Sequence, residues 1–274
     1  MRTYRDYLVE KRFPTIWCGG CGNGIVLKAI ALAFADLGLD RKKTVAVSGI
    51  GCWGWADDYL NVNAFHGTHG RALAFATGIK LANPELTVVV LMGDGDGATI
   101  GGNHLIHAAR RNVDLTAVVV NNLNYGMTGG QYSGTTPLGS YTSTSPYGHV
   151  EDGFDLCALA AAAGAPYVAR GSVAEGGKLR ELVRTGLSRK GFSFVEAISV
   201  CPTHFGRRNK KKNPTEMFRW LRENALSIEG AKRLSEEELK GKFLLGTVRD
   251  RPSEDYGTRY GRVTALAGEM EELS

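Results

Sequence analysis

The chain has 274 residues, 43% of them apolar and 22% charged, enough to bury a sizeable core as one large domain. No run of 18 apolar residues occurs and the first stretch, MRTYRDYLVEKRF, is charged throughout, so neither a membrane span nor a signal peptide is expected and the chain reads as cytoplasmic. The net charge of +5 mildly favours an acidic partner, and five cysteines in a cytoplasmic protein point to metal or redox chemistry rather than to disulfides.

Trp17-Cys18-Gly19-Gly20-Cys21-Gly22-Asn23 comes first, a C-x₂-C crowded with glycine. Asn23 is the expected N-cap of a helix over 24–37, which Ile25, Leu27, Ile30, Leu32 and Phe34 make apolar and buried, and Gly38 ends it. The cysteine pair therefore sits at a helix N-terminus, where the positive end potential and N–H···S contacts favour thiolates. A strand over 44–47 runs into Ser48-Gly49-Ile50-Gly51-Cys52-Trp53-Gly54-Trp55, and His66-Gly67-Thr68-His69-Gly70-Arg71 opens a helix over 72–81 that Asn83-Pro84 closes. Such a helix start, flanked by His and Arg, can receive an anion. Either histidine alone reads equally well as a satisfied structural side chain.

The stretch from Thr87 to Gly130 organises the rest. Val88 to Leu91 is a β-branched run suited to a buried parallel strand, and it stops at Gly93-Asp94-Gly95-Asp96-Gly97. A helix over 101–112 follows, then a second buried strand over 115–120 that closes on Asn121-Asn122. In a right-handed crossover both loops leave the carboxyl edge of the sheet, where open α/β sheets bind ligands. Glycines let backbone N–H groups approach an anion, while Asp94, Asn122 and the Asn124 carbonyl offer hard oxygens to a Mg²⁺ that also holds phosphate. Asp94 and Asn122 lie 28 positions apart. With Gly-Asp-Gly on one side and Asn-Asn on the other, this spacing resembles the motif of thiamine diphosphate (TPP) enzymes.

A Gly/Ser/Thr-rich loop over 129–145 has no periodicity, and loops of that length in a compact domain are usually functional. Its start, Tyr125 to Gln131, reads as substrate and phosphate contact, and Thr135 to Ser145 as packing on a partner. A helix over 154–163 carries Cys157 as inert core, strands are expected over 167–170 and 192–198 with a helix over 179–187 between them, and Cys201-Pro202-Thr203-His204 follows the last strand. The basic run Arg207 to Lys212 leads to a helix over 216–226 and a charged tail with weak patterning. A charge run is usually a solvated face, with docking of an acidic protein the other reading.

Cys18, Cys21, Cys52 and Cys201 all fall in loops or helix starts on the expected ligand edge and converge if the sheet is doubly wound. Four thiolates hold Zn²⁺ or a [4Fe–4S] cluster. One C-x₂-C with two single cysteines from other loops suits a cluster beside a cofactor better than it suits a zinc knuckle built from two close pairs. TPP beside such a cluster points to loss of CO₂ from a 2-oxo acid, with the electrons removed singly.

WCGGCGNG, SGIGCWGW, HGTHGRALAFATGIKLA, GDGDGATIGGNH, NNLNYGMTGGQYS and CPTHFGRRN together make the chain, to about residue 225, resemble the β subunit of 2-oxoacid:ferredoxin oxidoreductases. The resemblance implies a doubly wound, mostly parallel α/β sheet equivalent to the diphosphate-binding half of TPP enzymes. It implies Cys18, Cys21, Cys52 and Cys201 as [4Fe–4S] ligands, and Asp94, Asn122 and the Asn124 carbonyl as Mg²⁺ ligands. Cys52, Trp53, His69, Gly93, Gly95, Asp96 and Thr128 would surround TPP, with His69, Trp53 and Asn124 the catalytic candidates. The pyrimidine-binding half, with the glutamate that activates TPP, belongs to a separate α subunit. NYGMTGGQ and CPTHFGRRN look more like 2-oxoglutarate enzymes than pyruvate enzymes, and Gly129 leaves room where some relatives place a lysine.

The resulting expectation is a TPP/Mg²⁺ domain over 1–225 carrying one [4Fe–4S] cluster, and an extension over 226–274 packing on the partner. With its α subunit, in an (αβ)₂ assembly, it would convert a 2-oxo acid, 2-oxoglutarate foremost, and coenzyme A to acyl-CoA, or run the reverse, with ferredoxin as acceptor. Rival readings are a non-redox TPP decarboxylase with a zinc site, and a basic nucleic-acid-binding protein using 207–212. The second lacks aromatic or groove-reading motifs beside the run.

Overall fold

The structure is a computed structural model that describes residues 2–211 and 213–272. Eight strands form one sheet in the order β2-β1-β3-β4-β6-β5-β8-β7. They are β1 (Thr44–Ser48), β2 (Asn63–His66), β3 (Thr87–Gly93), β4 (Thr116–Asn121), β5 (Tyr167–Ser172), β6 (Ser193–Ile198), β7 (Ala225–Ser227) and β8 (Phe243–Asp250). The first six run parallel, in register through pairs such as Val47↔Val90, Val89↔Thr116 and Val118↔Val195.

Strands β3, β4 and β6 are apolar on both faces because both are covered. Val89, Leu91, Val118, Val120 and Val195 point to one side, against α1 (Asn23–Asp36), the short α2 (Ala56–Tyr59), α6 (Gly176–Ser188) and α7 (Pro214–Asn224). Val88, Val90, Met92, Val119 and Phe194 point to the other, against α3 (Ala72–Ala82), α4 (Gly102–Arg111) and α5 (Leu156–Ala162). This is the expected doubly wound arrangement. Among the described residues no helix is long and apolar enough to cross a membrane.

Local differences from the sequence reading have physical causes. The α1 cap is Gly22, and Asn23 is the first helical residue, fully buried, with neither side-chain polar atom partnered. The cap of α5 is Asp155, whose carboxylate accepts from Ala158 N. Helix α7 stops at Asn224 and Leu226 lies in β7. The edge strand β2 is exposed along its whole length, so it carries no apolar alternation to read.

The stretch after 225 holds β7, α8 (Ile228–Ala231), α9 (Glu236–Leu239), β8 and α10 (Tyr256–Glu272). Strand β8 returns to the main sheet, antiparallel to β5, with Tyr167 opposite Asp250 and Arg170 opposite Gly246. Arg189 clasps Asp250 with two hydrogen bonds, at 3.1 and 2.5 Å. On α10, Tyr260, Val263 and Leu266 are exposed.

Candidate active site

Strand β1 passes the chain to α2 on one face of the sheet, and β3 passes it to α4 on the other, so the loops after these two neighbours part and leave a crevice at their carboxyl ends. Gly93, Asp94, Gly95 and Asp96 enter it from β3, and Cys52 and Trp53 from β1. His69 comes from the segment after β2, and Asn122, Asn124 and Thr128 from β4; all ten line one cleft. The segment after β3, Gly95–Ile100, is a single π-helical turn, a form that recurs where a backbone is bent to serve a site.

Asp94 is buried, and its Oδ2 accepts from Ser133 Oγ at 2.5 Å and Thr135 Oγ1 at 2.6 Å. Burial nevertheless pushes its carboxyl up to about 6, against the pull of those two hydroxyls. Behind it, Thr135 Oγ1 contacts Asn121 Oδ1 at 3.0 Å, Asn121 Nδ2 donates to Glu196, and Arg170 Nε donates to the other Glu196 oxygen at 2.6 Å. Thr135 was expected on a partner-facing loop; it is buried because the loop folds inward onto Asp94. Nothing in the sequence around Ser133 and Thr135 signals this, since loop hydroxyls carry no periodicity.

Asp96 Oδ1 accepts from Gly70 N at 2.6 Å and from His69 Nδ1 at 2.5 Å, while Oδ2 is buried without a partner. The carboxylate thereby fixes the His69 ring with its Nδ1 proton engaged. Gly95 is required by close approach: a Cβ there would lie 2.1 Å from Tyr125 Cε1. Trp53 is buried, donates Nε1–H to Val118 O at 3.3 Å, and packs 5.8 Å from Trp17. Asn124 is buried with both amide atoms unpartnered.

Beside this cleft lies a second cavity, lined by Cys18, Cys21, Cys52 and Cys201 together with His204 and Trp17. Trp17 Nε1 donates to Cys52 O at 2.6 Å, and Cys201 opens a second π-helical turn, Pro202–Gly206. Burial, with the other sulfurs nearby, pushes Cys21 up to about 12 and Cys52 up to about 11. The N–H of Asn23 at the start of α1 favours the Cys21 thiolate as expected, but desolvation outweighs it. Among the described residues no three His, Cys, Asp or Glu side chains gather as one metal ion requires. The four cysteines line this one cavity. Cys157 lies apart in the core, its Sγ 3.4 Å from Glu196. The depression at the opposite, amino-terminal edge is lined by side chains already paired with one another, Lys80 and Lys190 both 2.8 Å from Asp114.

Residues 49–197, from the loop after β1 to the end of β6, match the family model of the thiamine pyrophosphate enzyme, C-terminal TPP binding domain. The chain is 51% identical over 249 residues to the 2-oxoglutarate synthase subunit KorB of Methanothermobacter thermautotrophicus, covering 91% of this chain and 87% of that protein. It is 55% identical over 221 residues to the KorB subunit of Archaeoglobus fulgidus, covering 81% of this chain and 80% of the other. The chain belongs to the β subunits of the 2-oxoacid:ferredoxin oxidoreductases.

Among solved structures, a chain of the 2-oxoglutarate:ferredoxin oxidoreductase of Magnetococcus marinus, with 2-oxoglutarate, coenzyme A and succinyl-CoA bound, superposes with a TM-score of 0.87 at 33% identity. The match covers 97% of this chain and 91% of that one. The sheet, its helices and the diphosphate-binding domain are therefore those of a β subunit of the family.

Proposed function

We propose that this β subunit, with an α partner, oxidatively decarboxylates 2-oxoglutarate to succinyl-CoA, or runs the reductive carboxylation, and exchanges the electrons with ferredoxin through a [4Fe–4S] cluster. The observation that carries the reading is that the two cavities share a wall made of Cys52, Asn122, Gly126 and Met127. A carbon-chemistry site and an electron-accepting site in contact suit an oxidative rather than a hydrolytic or carboligating enzyme.

The residues present fit both groups. Asp94, Asn122 and the Asn124 carbonyl are hard oxygen donors for Mg²⁺, and Asp94, lifted by burial, is relieved by a cation. The unpartnered amide of Asn124 and the unpartnered Asp96 oxygen are the polar atoms a cofactor would engage. Cys18, Cys21, Cys52 and Cys201 supply four soft donors around one space. Bound thiamine diphosphate supplies the electron sink for losing CO₂ from a 2-oxo acid.

The chain's own residues hold and orient. Gly93, Gly95 and Thr128 bring backbone and hydroxyl groups to the diphosphate. His69, held by Asp96, presents its other ring nitrogen as a proton-handling group. Trp53, packed with Trp17, walls the reacting end from water. The opening at Gly129, where a Cβ would meet nothing within 4 Å, leaves room for the longer 2-oxo acid. The α subunit completes the cleft with the pyrimidine half and its glutamate, in an (αβ)₂ assembly in the cytoplasm. Of the 226–274 stretch, β8 belongs to this chain's own sheet, and the exposed Tyr260, Val263 and Leu266 favour packing of α10 on that partner.

The test is anaerobic purification with the α subunit. About four irons per β chain and fastest turnover with 2-oxoglutarate in a panel of 2-oxo acids are expected. Cys201→Ser should lose the cluster signal while single-turnover CO₂ release persists. Zinc in place of iron would defeat the redox reading.

A further inference from the structure

We infer that the exposed turn Cys18-Gly19-Gly20 and the outward face of α7 form the docking surface for a small acidic electron carrier, whose carboxylates meet Arg219 and Arg222. The inference rests on the four-cysteine reading above and adds to it the place where electrons leave.

Among the four cysteines that line the cavity, Cys18 is the exposed one, and Cys21, Cys52 and Cys201 are half-buried. Gly19 and Gly20 beside it are exposed as well. A Cβ on Gly19 would meet nothing within 4 Å, so a partner can come up to the backbone of this turn with no side chain in its way. Gly20, at φ +79°, leaves room for the helix, since a Cβ there would lie 2.4 Å from Pro214 Cβ and Cγ. Pro214 is the first residue of α7, which is thus seated directly on the C-x₂-C turn. Met217 and Leu221 bury the inner side of α7, and Pro214, Thr215, Phe218, Arg219 and Arg222 line a shallow groove on its outer side. Pro214, Phe218 and Arg222, spaced by four, form one row leading away from the turn. Close to Cys18 on the chain, Ile16 is 58% exposed and adds apolar surface.

Charge identifies the occupant. Arg180, Arg184 and Arg189 on the surface are each held by a carboxylate, at 2.5, 2.7 and 2.5 Å, whereas among the described residues neither Arg219 nor Arg222 has an ion-pair partner. Both are exposed. Glu223 and Glu216, the latter accepting from Asn213 Nδ2 at 3.1 Å, lie farther round the helix, beyond Arg219. The basic run after Cys201 packs on the same helix, with Lys211 Nζ 4.9 Å from the Trp220 ring, so its charges adjoin those of the two arginines. Guanidinium groups grip carboxylates through paired hydrogen bonds, and complementary charge speeds the encounter. Redox encounters bury little surface, below about 1,200 Å², which a turn and one helix face can supply. A carrier seated there touches the proposed cluster ligand that reaches furthest into solvent.

The experiment is steady-state reduction of an acidic ferredoxin, with methyl viologen in parallel, by the anaerobically purified αβ complex as wild type, Gly19→Leu and Arg219→Glu/Arg222→Glu. Gly19→Leu places a side chain where the carrier would sit and should raise KM for ferredoxin about tenfold at every ionic strength. The arginine pair should raise it about tenfold at low ionic strength and approach wild type at high ionic strength. Viologen reduction, iron content and αβ association should stay as in wild type. If Gly19→Leu loses iron, the arginine variant decides alone, since it touches no cysteine. An unmoved KM for ferredoxin in complexes with full iron overturns the inference but leaves the four-cysteine reading standing. An equal loss with viologen, or loss of the α subunit, would also overturn it by assigning this face to folding or to that partner. Iron-free wild-type complex would overturn both readings.

Discussion

Asp94 Oδ2 receives two hydroxyl hydrogen bonds, yet burial holds its carboxyl near 6. An unfolded aspartate titrates near about 3.9, so the folded state binds this proton more tightly. The resulting stability is fully present below about pH 4 and is lost as pH rises through about 6. Above that, the metal-free chain carries an ionised buried carboxylate at a cost of about 3 kcal/mol. Asn at this position keeps an acceptor for Ser133 and Thr135. Asp94→Asn in EDTA should therefore be about 3 kcal/mol more stable than wild type at about pH 8 and equal to it at about pH 4 by urea titration. The same variant should lose Mg²⁺-dependent thiamine diphosphate binding. A stability difference that does not change with pH would mean that Asp94 pays no such charge cost. Cys21 and Cys52 follow the same logic with sulfur, since burial disfavours the thiolates that only a bound cation would stabilise.

At the scale of elements, regular strands end where irregular backbone begins. The π-helical turns Gly95–Ile100 and Pro202–Gly206 follow β3 and β6, and each carries site residues off a rigid strand end. Strand β8 has a different task. By pairing with β5 it covers an edge that would otherwise present open N–H and C=O groups, and Arg189 with Asp250 fastens its end. Truncation before residue 243 should lower the urea midpoint markedly and produce aggregates on gel filtration, although every proposed cofactor residue remains. A monodisperse truncated chain with an unchanged midpoint would show β8 to be dispensable.

At the scale of the molecule, charge lies beside the cysteine cavity. Arg207, Arg208 and Lys210 are exposed just after Cys201, and Lys211 lies over the Trp220 ring at 4.9 Å, while Lys212 is outside the described residues. If the cysteine cavity holds the proposed cluster, an exposed basic face beside it would steer an acidic ferredoxin, and steering is screened by salt. Replacing Arg207, Arg208 and Lys210 with Gln should reduce kcat/KM for ferredoxin about threefold to tenfold at low ionic strength and leave it unchanged at high ionic strength. An equal loss at both, or an equal loss with methyl viologen, would assign these residues to folding or substrate binding.

By itself the sequence determined the order of the buried strands and longer helices through residue 198, though not the exposed β2 or the short α2, because buried parallel strands and apolar helices leave continuous apolar runs. It also determined the ligand edge, since Gly-Asp-Gly, Asn-Asn, Cys52 and Cys201 each follow a strand end and Cys18 and Cys21 lie at a helix start. Local chemistry carried these signals. Only the tertiary structure decided that Ser133 and Thr135 turn inward to Asp94, that Asp96 fixes His69, and that the thiamine cleft and the cysteine cavity share a wall at Gly126. It also decided that β8 belongs to the sheet, by pairing across some 80 residues of chain. The physical reason is range: propensity and periodicity act over a few neighbouring residues, whereas burial, an ion pair or an orphaned amide exists only once distant segments have been brought together.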